Sequence, residues 1–314
     1  MQERITVVIP TYNREKLLGR ALDSLERQTY KNFICMIIDD GSTDNTKQLV
    51  DSYKKNVTYT IKYFYKDNGG VIDALRFGLD RVETELVTMN GSDDEYTDNA
   101  LEVCLNAWDS LTDKEREYYM GIKALTIDYS SKKIVGKKFP QDINSCSYKK
   151  YFRCDVGEKS NTYKTEIIRK QFHEYKEVMK GTHFRFIPEG TLHVKYEMIH
   201  KLYCINQPMR IYHQENPEGY CRGPMTKEDY EVGFFSNTYM LRTYYPSEKL
   251  PFNRYFWNAV YSVKFGMLLK KRFRDIYLAV GNRSNRLVLT CAIPFGIGNY
   301  LLGLGKAYLR RKSG

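Results

Sequence analysis

No C-x-x-C pair occurs among the seven cysteines, which are scattered and odd in number. That excludes a zinc site or disulfide framework of ordinary spacing, and reads as free thiols in a reducing compartment. No internal repeat or low-complexity tract is visible. The N-terminus offers only a five-residue apolar run, "ITVVI", before Pro10. This is too short for a signal peptide, so the chain is expected to start in the cytosol. The glycines of "NGGVIDALRFG" (68–78) form neither a G-x-G-x-x-G nor a Walker A sequence, so they make a weak phosphate loop. An even spread of basic charge is also lacking. The net charge is +11, yet 14 Lys and Arg face only two acids from Arg242 onward. The first 241 residues carry 35 bases against 36 acids, so the basicity belongs to the tail and does not describe a nucleic-acid binder.

What is present is a chain of 314 residues, 42% hydrophobic, long enough for a full core with an appendage. Its first hundred residues alternate strand and helix. "ITVVIP", "FICMIIDD", "YTIKYFYKD" and "ELVTMN" read as buried strands. Between them, "REKLLGRALDSLERQ" sets Leu17, Leu18, Ala21, Leu22 and Leu25 on one helical face, and "TKQLVDSYKK" and "VIDALRFGLDRV" follow suit. Such alternation predicts a mainly parallel α/β sheet with ligands at the carboxyl edge of the strands. Residues 101–211 mix helical stretches with short strands such as "YYMGIKALTIDY" and "KKIVGKKF".

Three clusters fall at the predicted carboxyl edge. "PTYN" ends the first strand and presents Tyr12 as a flat face for a base. "DDGSTDNT" (39–46) ends the second; it is either a tight turn with a helix cap, or Asp39 and Asp40 accept from a base or ribose. "NGSDDEY" ends the fourth, with Asp93 and Asp94 adjacent. Carboxylate oxygens suit Mg²⁺ or Mn²⁺, which take one or two carboxylates together with substrate phosphates. The bland alternative is that both acids cap the next helix.

In order and spacing these motifs resemble an inverting family 2 glycosyltransferase of the GT-A fold, closely over 1–105 and loosely through "GEKSNTYKTEIIRK" and "FRFIPEGTLHVKYEMIHKLYCINQPMRIYH". The resemblance implies a GT-A, Rossmann-like mixed sheet flanked by helices, with a donor-binding half (1–105), an acceptor half (106–215) and a helical membrane-associating tail (216–314). It implies donor contacts from Pro10, Thr11, Tyr12, Asp39, Asp40, Asn68, Gly70, Ser92 and Asp93, with Tyr12 and Asp40 at the uracil and Asp39 supporting the loop. It implies Asp93, Asp94 and His213 around Mn²⁺ or Mg²⁺, and Glu189 as the base that deprotonates an acceptor hydroxyl. Lys159 at the diphosphate and His193 near the acceptor are secondary expectations; a solvated lysine, a packed histidine and a helix-starting glutamate are the plain alternatives. The family usually writes Asp-x-Asp-Asp, whereas this chain has Gly91-Ser92-Asp93-Asp94, so metal affinity is expected to be weaker.

The tail completes the reading. An uncharged run, "LVLTCAIPFGIGNYLLGLG" (287–305), follows aromatic stretches and is flanked by Arg283, Arg286, Lys306 and Arg310. At about 1.5 Å per residue it would rise roughly 28 Å as a straight helix, but Pro294 and four glycines interrupt it, so a bent or interfacial segment on anionic lipid is expected. The expected activity is transfer from a nucleotide-diphosphate sugar, UDP favoured, to a glycan acceptor on a polyprenyl diphosphate, at the cytoplasmic side of the membrane, in bacterial surface-polysaccharide synthesis. A homo-oligomer is left open, and no nucleic-acid partner is expected. The competing readings are a nucleotidyltransferase and a non-catalytic sugar-nucleotide-binding scaffold.

Overall fold

The computed structural model describes residues 2–184, 186–213 and 225–312, with side chains described as far as 303. Two compact units arise: 1–145 with 154–185 and 196–222, and 146–153 with 186–195 and 223–314.

The first unit is built on one mixed sheet. Strands β1 (Ile5–Thr11), β2 (Ile34–Asp39), β3 (Thr60–Tyr65) and β4 (Leu86–Met89) pair in parallel in the order β3-β2-β1-β4. Each is joined to the next by a helix: α1 (Leu18–Glu26), α2 (Thr46–Asn56) and α3 (Val71–Leu79). β1 and β2 are buried nearly throughout because they are covered on both faces, which is why they lack polar alternation. Leu18, Ala21, Leu22 and Leu25 of α1 are wholly buried in the main core with Val7, Ile9 and Trp108.

Beyond β4 the sheet continues as β7-β6-β8-β5. Here β5 is Glu95–Tyr96, β6 is Gly121–Asp128, β7 is Lys159–Lys164 and β8 is Tyr203–Tyr212. β7 runs antiparallel to both β4 and β6, β6 pairs with β8 in parallel, and β5 lies antiparallel to the end of β8. The mixed sheet and flanking helices are those expected. The stretch "KKIVGKKF" is not a strand: it makes a single bridge, Ile127 to Ile134. Gly136, at φ +92°, instead lies against Gly157, where a Cβ would come within 2.6 Å of its Cα. Helices α4 (Ala100–Asp109), α5 (Asp113–Tyr118) and α7 (Thr165–Met179) complete the unit.

The second unit is helical: α6 (Tyr148–Cys154), α8 (Gly190–Glu197), α9 (Lys227–Tyr244), α10 (Phe252–Leu268), α11 (Phe273–Ala279) and α12 (Arg283–Lys312). α6 and α8 each end just past a boundary of that unit. The aromatic stretch of α10 ends before Lys270, whose φ is +54°, and the chain resumes as helix in α11. Residues 283–303 of α12 are the one stretch among the described residues long and apolar enough to cross a membrane.

Candidate active site

At the carboxyl edge of the parallel strands, β1 delivers Tyr12 with its ring 48% exposed, while Thr11 before it is buried. The loop beside Tyr12 is laced to the one after β2. Asn13 N–H donates to Ser42 Oγ at 2.9 Å, and Asn13 Oδ1 accepts from Thr43 N–H at 2.8 Å. Tyr12 is thereby held on a stiff rim at the mouth of the edge.

Asp39 and Asp40 are both buried and already engaged. Asp39 accepts from Ser42 N–H at 2.8 Å and from the Tyr63 hydroxyl at 2.6 Å, and so holds the loop. Asp40 Oδ1 accepts from Lys66 Nζ at 2.7 Å and Gly69 N–H at 3.0 Å, and its Oδ2 accepts from Gly70 N–H at 2.7 Å. Burial pulls the Lys66 ammonium down, but its hydrogen bonds to Asp40 and Asp73 more than offset this and its pKa is raised. Asn68 Nδ2 donates to Asp40 O at 2.8 Å. Asp40 thus gathers Lys66, Asn68 and Gly70 around itself. Gly70 takes φ +88°, a conformation that a side chain there would strain.

The third cluster follows β4. Asn90 Nδ2 donates to Asp94 O at 3.1 Å, and Asp94 N–H reaches Gly91 O at 3.4 Å, closing a tight turn in which Ser92 is buried. The carboxylates fold back over Gly91. A Cβ at that position would meet Asp93 Oδ1 at 2.9 Å and Asp94 Oδ2 at 3.5 Å. Asp94 is 5% exposed, and burial, with the neighbouring Asp93 charge adding to it, pushes its carboxyl up to about 6 against the pull of Arg210. Arg210 Nη1 stands 3.8 Å from Asp94 Oδ2.

His213 is brought to this cluster by the end of β8, and its N–H donates to Asp94 Oδ1 at 3.3 Å. Its ring is committed on both sides: Nε2 pairs with Glu95 Oε1 at 2.8 Å and Nδ1 with Arg20 Nη1 at 3.0 Å. Arginine can only donate, so the contact assigns Nδ1 as the acceptor and Nε2 as the nitrogen that donates to Glu95. Tyr129 stacks on the ring, centroids 4.2 Å apart. The second amino group of Arg20 donates to the carbonyl of Asp93. Glu95 is held in turn by Arg27 Nη2 at 2.7 Å. Arg20, Glu95 and Arg210 were not legible as site residues. On a helix surface or a strand end they look like solvated charge, and the pairing of β5 with β8 is what brings Arg20 and Glu95 to His213 and Arg210 to Asp94.

The remaining expected residues lie elsewhere. Lys159 is buried, with Nζ donating to Val156 O at 2.6 Å and Lys137 O at 3.2 Å, and burial lowers its pKa. Glu189 and His193 fall in the second unit, one turn apart at the start of α8, where His193 N–H donates to Glu189 O at 3.0 Å. Among the described residues, no three His, Cys, Asp or Glu side chains converge as a metal cage.

Residues 6–114 match the model of glycosyl transferase family 2. An uncharacterized glycosyltransferase of Rickettsia typhi is 33% identical over 121 residues, 38% of this chain and 37% of its own length. The glycosyltransferase GlyG of Streptococcus pneumoniae is 25% identical over 222 residues, covering 69% of this chain and 72% of GlyG. A Campylobacter jejuni protein named GalNAc(5)-diNAcBac-PP-undecaprenol beta-1,3-glucosyltransferase is 36% identical over 100 residues, 31% of this chain and 32% of its own. This chain spans 37% and 20% of the first two rickettsial relatives. Among solved structures, Staphylococcus aureus TarS 1–349 in complex with UDP-GlcNAc superposes with a TM-score of 0.58 at 18% identity, covering 95% of this chain and 89% of that one. The mannosyltransferase PcManGT of Pyrobaculum calidifontis, with GDP-Man and Mn²⁺, gives 0.51 at 15% identity, over 96% and 88%. The fold is therefore that of the GT-A glycosyltransferases.

Proposed function

We propose that the chain transfers a sugar from a nucleotide-diphosphate sugar, UDP favoured, to a glycan hydroxyl with inversion at the anomeric carbon. The single observation that carries this reading is the convergence at one sheet edge of an exposed aromatic, Tyr12, a buried acid-clamped loop at Asp39 and Asp40, and the paired carboxylates Asp93 and Asp94. Tyr12 would stack on the base, the Asp40 loop would bound the base and ribose, and the 91–94 turn would face the diphosphate. TarS, which is solved with UDP-GlcNAc, and the Campylobacter glucosyltransferase named for an undecaprenol-linked substrate support a UDP-sugar donor and a lipid-linked acceptor.

The donor set fits a hard divalent cation. Two carboxylates lie over a residue that has no side chain, and hard cations of this kind leave most of their sphere to substrate phosphate and water. Mn²⁺ or Mg²⁺ would be held chiefly by Asp93, with Asp94 beside it; His213 could join only by exchanging Glu95 for the cation at Nε2. When bound, such a cation supplies positive charge to the leaving diphosphate. Glu189 is assigned the proton of the attacking acceptor hydroxyl, which suits single displacement because no second close carboxylate is called for. The division into a donor-binding half (1–105), an acceptor half (106–215) and a membrane-directed tail (216–314) belongs to the same proposal, as does action at the cytoplasmic side of a bacterial membrane in surface-polysaccharide synthesis.

The test is a donor panel. The full chain is incubated with Mn²⁺ and UDP-, GDP- and dTDP-sugars while released nucleotide diphosphate is followed, with Asp93→Asn and Glu189→Gln in parallel. Metal-dependent release from one donor is expected, falling at least about 100-fold in Asp93→Asn, and transfer to acceptor is expected to fail in Glu189→Gln. Near-full turnover by either variant would overturn its assignment. Donor binding with neither hydrolysis nor transfer would favour a non-catalytic scaffold, for which the missing acid at Gly91 is the specific observation.

A further inference from the structure

Helix α12 is apolar on two opposite sides, and only one of them is filled. Asn285, Leu289, Ala292 and Gly296 recur at helical spacing and are buried. Gly296 lies so close to α10 that a Cβ there would stand 2.5 Å from Val263 Cβ. Asn285 roots the helix: its Nδ2 donates to Leu241 O and Val280 O at 2.8 Å each, and its Oδ1 accepts from the Tyr255 hydroxyl at 2.6 Å. Away from that side Leu287 and Leu302 are each 68% exposed and Leu301 is 58% exposed, while Phe295, 54% exposed, lies on the flank. Phe295 meets Phe256 of α10 edge-on at 5.2 Å, and Phe256 leads on to Trp257, which is 43% exposed, and Tyr261. The outward face of α12 and the aromatic ridge of α10 form one apolar surface. A soluble monomer rarely leaves so many large apolar side chains side by side in water.

The border of this surface is basic. Lys270, Lys271, Arg272 and Arg274 are exposed around the break between α10 and α11, and Arg283 is exposed at the start of α12. Phe273 and Leu278 are exposed among them. A basic rim around an aromatic and aliphatic face is complementary to a leaflet with anionic headgroups above hydrocarbon.

We propose that this face of α10 and α12 seats the protein in the plane of an anionic lipid leaflet, and that α12 does not cross the bilayer. The reason is the filled side. A spanning α12 would have to take α10 with it, and α10 carries Arg254, Asn258 and Lys264. Such charged and polar side chains are disfavoured at the bilayer centre, whereas at the interface long basic side chains reach the headgroups. The inference rests on the membrane placement proposed above and is independent of the sugar-transfer chemistry, since it is read without donor or acceptor.

Of the two tryptophans, Trp108 is 1% exposed and Trp257 lies on this face, so indole fluorescence reports on it. The full chain is mixed with vesicles of phosphatidylcholine alone or with phosphatidylglycerol, and floated. Binding at least about tenfold tighter to the anionic vesicles is expected, weakening with salt. Trp257 should be quenched by lipid brominated near the headgroup and far less by lipid brominated near the chain end. The variant Leu287→Gln/Leu301→Gln/Leu302→Gln, which alters exposed positions only, should lose vesicle binding about tenfold while keeping its Tm. Equal binding to neutral vesicles, or undiminished binding by the triple variant, overturns the proposal. Chain-end quenching with resistance to alkaline extraction would make α12 a span instead. A lipid-free dimer that the triple variant dissociates would make the face a self-interface. None of these outcomes changes donor turnover, so failure here is separable from failure of the transferase reading.

Discussion

Gly91 is where this chain departs from the acidic motif it resembles, and the space above it is not empty. The carboxylates of Asp93 and Asp94 occupy it, the nearer oxygen 2.9 Å from where a Cβ would be. An acid placed at 91 would therefore push Asp93 aside before it could add a ligand of its own. Gly91→Asp is expected to bind UDP in the presence of Mn²⁺ about tenfold more weakly, roughly 1.4 kcal/mol, by titration calorimetry. Tighter binding would instead make Gly91 a lost ligand position. Arg20 acts at the same scale. It joins the Asp93 carbonyl to His213 Nδ1, so it sets the tautomer of a ring whose other nitrogen faces Glu95. Sequence offers no hint of this, because an arginine on an amphipathic helix reads as solvated.

Between elements, the second half of the sheet depends on an ionic contact as well as on its ladders. Lys123 of β6 and Glu197 are each 3% exposed at the side chain and lie 2.5 Å apart, with Asp155 at 2.8 Å from the same ammonium. Removing the Lys123 ammonium takes the shared cation from two carboxylates, one of them buried, and breaking a buried pair of this kind costs roughly 3–5 kcal/mol. Lys123→Ala should therefore lower the urea midpoint strongly. The double variant Lys123→Met/Glu197→Leu should recover part of that loss, since it removes the buried carboxylate and leaves only the partly exposed Asp155 without this cation. If single and double variants were equally unstable, the contact would matter through packing rather than charge. Near the isolated bridge at Ile134, Gly136 and Gly157 lie backbone against backbone.

For the molecule as a whole, the two compact units divide its chemistry. The unit with the mixed sheet carries Tyr12, the Asp40 clamp and the 91–94 turn, and the helical unit carries α12. A ligand that binds only the folded sheet stabilises it by mass action, by about 2.7 kcal/mol at a hundredfold excess over Kd. UDP with Mn²⁺ should thus raise the Tm of the intact chain, and UDP with a chelator should raise it less. An equal shift under both conditions would count against a cation in the proposed donor site. Anionic vesicles would act on the helical unit instead, so the two additions should shift stability independently.

The sequence by itself determined the parallel half of the sheet and its ligand edge. Buried strands such as "ITVVIP" and "FICMIIDD" are uniformly apolar, α1 repeats at 3.6 residues, and turn residues follow each strand, so local pattern and final fold agree. It also marked Asp39, Asp40, Asp93 and Asp94, because carboxylates directly after a buried strand must emerge at its carboxyl edge. Only tertiary structure decided what each of them touches. Asp40 is clamped by Lys66, Gly69 and Gly70, about 30 residues further along. His213 is turned between Arg20 and Glu95 by the pairing of β8 with β5. Likewise the uncharged run within α12 marks no inner side in sequence, and only its packing on α10 separates a filled side from an open one. Local pattern encodes burial and period; the partners of a side chain are set by elements distant along the chain, which no short window contains.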